Sequence, residues 1–151
     1  MSYEGPHHVR ITRKLRRIAK EHGLKLWFVP SLGAGGEYCV GEDRAVVLLD
    51  HTAAQLISIF FHELGHHVDY HAGLYPSYYR DTPLYRQRRI ALRAERHADA
   101  VGKKLCRKYF PKVKYQKSYH TEDDIDFLNE GIADGRRKSI LRDLIKQARN
   151  Q

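Results

Sequence analysis

His62-Glu63-Leu64-Gly65-His66 places two imidazoles four residues apart, with a carboxylate directly after the first. On a helix, positions i and i+4 lie one turn apart on one face, so both rings can converge on a single metal ion, and zinc suits this ligand type and spacing. Glu63 then falls on the flank of that face, beside the metal, where it can take a proton from a metal-activated water. Gly65 has no side chain and permits close approach of a neighbouring strand or helix. The surrounding segment is apolar on nearly every side, through Ala53, Leu56, Ile57, Ile59, Phe60, Phe61, Leu64 and Val68. It reads as a buried helix that starts from an N-cap at Thr52 and runs to Gly73. Buried histidines and a buried glutamate each need a partner, and one metal ion satisfies all three.

Ten histidines in the chain make a chance match to so short a pattern a real alternative. A third ligand separates the two. One arrangement, that of metzincins, places a glycine at position 69 and a histidine at position 72, but Asp69 and Ala72 stand there and His71 is one residue out of place. The gluzincin arrangement takes a glutamate from a second helix, followed four residues later by a carboxylate that orients a histidine. Glu95-Arg96-His97-Ala98-Asp99 has that spacing, with both acids one turn apart on one face. They are the sole acids of residues 84–117, which carry twelve Lys/Arg, and they sit in an alanine-rich stripe. Metal ligation gives these two acids a reason to face inward; the competing account is internal salt bridges to Arg93 or Arg96.

HELGH followed by AERHAD resembles the gluzincin-type zinc metallopeptidases, and E-x-x-A-D on the next long helix is similar to the ImmA/IrrE family. HELGHHVDYHAG also looks like the catalytic domains related to anthrax lethal factor. The resemblance covers about residues 24–105 and implies a zincin-like fold holding one zinc ion. It further implies His62, His66 and Glu95 as ligands, Glu63 as general base and Asp99 as the residue orienting a ligand. ImmA/IrrE members are associated with cleavage of helix-turn-helix repressors, and lethal-factor relatives cut extended peptides. Where ImmA/IrrE members tend to carry an aromatic after the aspartate, this chain has Ala100-Val101-Gly102.

A peptidase also needs a donor for the oxyanion that forms when water attacks the peptide carbonyl. Candidates are Tyr75, Tyr78, Tyr79, Tyr85, His71 and His120, with Tyr79 preferred; for each tyrosine ordinary packing is the rival account. His67 and His97 fall off the ligand faces and read as structural or exposed.

The elements that must position these groups follow from hydrophobic spacing. After Pro6, Ile11, Leu15, Ile18 and Ala19 recur at helical period beside Arg10, Arg13, Lys14, Arg17 and Lys20, with Gly23 as a stop. Residues 24–29, 37–40 and 45–49 read as three short strands of a small, antiparallel or mixed sheet, the middle one a Gly-flanked edge open to an added strand. Residues 84–109 form a long helix whose inward stripe is Ala91, Ala94, Ala98, Val101/Gly102 and Leu105. Thr121-Glu122-Asp123-Asp124 reads as a helix start, and Ile140, Leu141, Leu144, Ile145 and Ala148 as a last amphipathic helix. The expected fold is α+β over residues 1–151 as one domain: a three-stranded sheet packed on the motif helix, with three or four further helices.

Length and composition fit that plan, with 151 residues, 42% of them hydrophobic, enough for one core. No apolar run approaches the roughly 18–20 residues of a membrane helix, and residues 1–15 lack a signal-peptide core, so a soluble, cytoplasmic protein with no membrane partner is expected. Cys39 and Cys106 are isolated, which leaves any metal to His and carboxylate. Residues 84–117 carry +10, so the rest of the chain is near neutral within a formal charge of +9. That basic face would meet an acidic or nucleic-acid-associated protein substrate, or nucleic acid itself, unless it is merely solvated. The rival to a peptidase is a non-catalytic, zinc-containing basic module that binds nucleic acid or a regulatory protein.

Overall fold

The computed structural model describes residues 6–30, 36–39, 41–49, 52–74 and 84–117. The helix expected after Pro6 is α1 (Pro6–Glu21). Ile11, Leu15, Ile18 and Ala19 are buried, while Arg10, Arg13, Arg17 and Lys20 stay in solvent. Gly23 takes a positive φ of 69°, and the Leu24 amide donates back to the Ala19 carbonyl at 2.9 Å, which closes the helix and turns the chain into β1 (Lys25–Val29).

The remaining strands are β2 (Gly36–Cys39) and β3 (Arg44–Leu48), joined by a turn in which Gly41 (φ 83°) and Asp43 (φ 52°) are left-handed. The sheet order is β1-β3-β2, with β2 antiparallel to β3 and β1 parallel to it, Lys25 opposite Arg44 and Val29 opposite Leu48. The sheet is therefore mixed. The chain leaves β1, crosses to the far side to make β2, and returns by a hairpin into the middle. Four of five β3 residues are buried, as a central strand covered on both faces requires. Leu26, Phe28, Ala45 and Val47 join the main core, and Val29, Val46 and Leu48 form a smaller cluster on the opposite face with Trp27.

The helix carrying the motif is α2 (Ala53–His71). Thr52 caps it reciprocally with Gln55: the Gln55 amide donates to Thr52 Oγ1 at 3.3 Å, and the Thr52 amide to Gln55 Oε1 at 3.0 Å. Such a cap contributes about 1 kcal/mol and fixes where the helix begins. Leu56, Phe60, Phe61 and Leu64 are wholly buried.

The long basic helix is α3 (Leu84–Tyr109). Its buried seam is Ala91, Ala94, Ala98, Gly102 and Cys106, whereas Val101 and Leu105, expected in the inward stripe, are only half-buried. After Ala94 the seam follows i+4 steps, which keep the smallest side chains against α2. A Cβ built on Gly65 would lie 2.3 Å from the Ala98 carbonyl oxygen, and one on Gly102 would lie 2.6 Å from that of Phe61. Backbone meets backbone at two points one helical turn apart on each helix. The further helices expected at Thr121–Asp124 and around Ile140–Ala148 lie outside the described residues, and among those described no helix is long and apolar enough to cross a membrane.

Gly65→Ala puts a methyl into the Ala98 carbonyl, so it is expected to destabilise the protein by about 1–3 kcal/mol through overpacking. Urea unfolding would show this as a lower midpoint at unchanged slope; an unchanged midpoint would mean that the helices separate without cost.

Candidate metal centre

The α2–α3 crossing brings the histidines of one helix against the acids of the other. His62 donates from Nδ1 to Asp99 Oδ1 at 2.9 Å, which turns its Nε2 toward Glu95 Oε2, 2.7 Å away. His66 Nε2 lies 3.0 Å from the same Glu95 oxygen and 3.1 Å from His62 Nε2. Three donors from His62, His66 and Glu95 thus form one small triangle. Two imidazole nitrogens that face each other and share one carboxylate oxygen are poorly satisfied by protons alone, since protons on both would point at each other. A cation resolves this. Tetrahedral ligands about 2.0–2.1 Å from zinc lie about 3.3 Å apart, so the triangle needs to widen by only a few tenths of an ångström.

Glu63 sits beside the triangle, nearly fully buried. Its Cγ lies 3.3 Å from where a Cβ on Gly36 would be, so the absence of a side chain in β2 leaves room for the glutamate stem. Burial pushes its carboxyl up to about 7, against the opposing pull of His62 and His66. A carboxylate near neutrality can both take and return a proton.

The electrostatics of the ligands run the other way. Burial acts to lower His62, but the Asp99 and Glu95 carboxylates overturn that and hold it up at about 10. His66 is raised as well, by Glu95 against the effect of burial. Burial would raise Glu95, yet hydrogen bonds from both histidines hold it far below the usual carboxylate range. The donors already attract positive charge to one point.

Tyr115, absent from the sequence reading, completes the arrangement. Its hydroxyl donates to Asp99 Oδ1 at 2.7 Å, and burial together with that carboxylate pushes its ionisation far up, so it stays a donor. Tyr115, Asp99 and His62 form a relay that ends at the Nε2 facing Glu95, an arrangement that fixes ring orientation and tautomer. Nothing local marks Tyr115, which follows α3 in a non-helical stretch of a lysine-rich segment.

The other sequence candidates fall elsewhere. Tyr75, Tyr78, Tyr79 and His120 lie outside the described residues, and Tyr85 falls in the first turn of α3. His71 is away from the triangle, paired with Asp43. His97 Nδ1 is 2.8 Å from both oxygens of the buried Asp69, a second tie between α2 and α3. His67 is buried and bonded to Tyr38 and to the His22 carbonyl.

Asp99→Asn keeps the shape but removes the charge behind His62, so zinc affinity is expected to fall about 10–100-fold, with a smaller loss for Tyr115→Phe. Competition against a chromophoric chelator measures both, and equal affinity in Asp99→Asn and wild type would remove Asp99 from the site.

A scan against protein-family models found no match, and searches of curated proteins and of solved structures found none either. What the site does must be argued from its own chemistry.

Proposed function

We propose that this protein is a zinc-dependent metallo-endopeptidase of gluzincin type, with a zincin-like fold, that hydrolyses peptide bonds in a protein substrate. The observation that carries the reading is the convergence of His62, His66 and Glu95 within one small triangle, with the buried Glu63 beside it. A bound zinc ion would supply Lewis acidity toward the peptide carbonyl and a water of lowered pKa. Glu63 takes a proton from the attacking water and passes it to the departing amine nitrogen, a transfer suited to a carboxyl held near 7. Asp99 and Tyr115 keep His62 in the tautomer whose Nε2 would be free to hold the ion.

Among the described residues, β2 is an edge strand, and its Gly36 abuts Glu63. That supports an extended substrate added along β2, its scissile bond brought toward Glu63 by main-chain pairing.

A second reading, a basic module whose zinc is structural, draws on the exposed Arg93, Arg96, Lys103, Lys104, Arg107 and Lys108 of α3. Glu63 separates the two, because a structural site has no use for a general base. With β-casein and a quenched fluorescent peptide library as probes, Glu63→Gln is expected to retain one zinc ion at the triangle and lose about 10²–10⁴-fold in cleavage rate. Cleavage by Glu63→Gln at the wild-type rate would overturn the peptidase. Loss of duplex DNA binding with a steep linear dependence on log salt, at unchanged zinc content, would favour the basic module.

A further inference from the structure

We propose that Asp43, His67 and His71 form a second metal site, separate from His62, His66 and Glu95, that takes a divalent transition ion of the zinc, nickel or copper type. His67 and His71 repeat the i, i+4 spacing of His62 and His66 five residues further along α2. Five residues turn the face by about 140°, so this second pair meets the β2–β3 turn instead of α3. There Asp43 offers a carboxylate: Oδ1 is 2.5 Å from His71 Nε2 and 3.7 Å from His67 Nδ1. The three donor atoms all lie within 4.8 Å of one another.

Two features prepare this cluster for a cation. The His22 carbonyl, 2.8 Å from His67 Nε2, can only accept, so Nε2 carries the proton and Nδ1 presents its lone pair toward Asp43. A backbone carbonyl behind the far ring nitrogen is the support that metal-binding histidines commonly have. Asp43 is held as firmly. It occupies a left-handed conformation at φ 52°, and its carbonyl accepts from the Lys25 amide at 2.7 Å, locking the turn to the start of β1. His71 and Asp43 are 52% and 43% exposed at the side chain, which gives an ion an entry path and leaves water to fill its remaining positions. Imidazole with one carboxylate suits zinc, nickel and copper over magnesium or calcium.

Tyr38 stands between the two sites. Its hydroxyl donates to His67 Nδ1 at 3.0 Å, and its ring stacks on His66 with centroids 6.4 Å apart and planes 15° from parallel. An ion at Nδ1 must displace that hydroxyl, so Tyr38 opposes filling of the second site. The inference does not depend on the peptidase reading, since it concerns different ligands.

The test is zinc stoichiometry of the full chain, stripped with chelator and dialysed against buffered free Zn²⁺, with metal measured by mass spectrometry and folding checked by circular dichroism. Wild type is expected to bind two ions, and the surface variants His71→Ala and Asp43→Ala one. Glu95→Gln should lose the other ion and keep this one, so failure of either site is seen separately. Tyr38→Phe should bind two ions, the weaker of them more tightly than in wild type. One ion in wild type that persists in His71→Ala would overturn the proposal and leave Asp43 and His71 as an ion pair only. Two ions undiminished in both surface variants would overturn it as well.

Discussion

The Ala98 carbonyl occupies the space where a side chain on Gly65 would begin, 2.3 Å from the position of a Cβ. Gly102 against Phe61 repeats the contact one turn further along. These two approaches set the separation of α2 and α3, and the His62–His66–Glu95 triangle depends on that separation. Glu95 lies just under one turn before Ala98, and Asp99 directly after it, so the backbone contact delivers both acids to His62. Larger residues in the seam would hold the helices apart, and the 2.7 Å and 2.9 Å contacts of His62 would open together. The alanines and glycines of α3 are small for that reason, and their low apolar area is offset by Phe60, Phe61 and Leu64 on α2, all wholly buried.

Burying so many charges carries a cost of its own. His62, Glu63, Asp69 and Asp99 are all buried, and the desolvation penalty for an ion in a protein interior is several kcal/mol. The described structure meets it by pairing. Asp69 is held by His97, Asp99 by His62 and Tyr115, and Glu95 by both motif histidines. Within the triangle, however, a raised His62 and a lowered Glu95 mean that protons stand where a cation would stand. A metal bound at such a site would release protons and couple to folding, because the cation would replace them as the charge between the two helices.

How much of this could be read from the chain depends on how local each signal is. The Thr52 start of α2, the extent of α3 and the ExxxD spacing are set by residues within a turn or two of each other, and helical period exposes them. The sheet order is different. β3 reads Arg-Ala-Val-Val-Leu, a run that suits a strand buried on both faces, but sequence order alone puts β2 between its neighbours, whereas the fold puts β3 there. Parallel pairing of β1 with β3 follows from that placement and from no residue in either strand. Tyr115 and Asp43 escape for the same reason, since each meets its partner only after the helices and the hairpin have docked. His71 is the instructive case: one position from a metzincin ligand in sequence, it lies on a face of α2 that meets the β2–β3 turn.

The same periodicity accounts for the uneven charge. In α3, Arg93, Arg96, Lys103, Lys104, Arg107 and Lys108 are exposed, while Asp99 is buried and Glu95 is mostly so. A basic outer face alone would give the acids nearby counter-charges, yet arginines on the solvent side are screened by water and salt over about 8–10 Å and do little for a carboxylate turned inward. The inward acids must be balanced from α2. Glu63, Glu95 and Asp99 together bring three carboxylates to one small volume, more negative charge than His62 and His66 neutralise even when both are protonated. A divalent cation held by neutral imidazoles would leave that volume one charge negative with Glu63 ionised and neutral with Glu63 protonated.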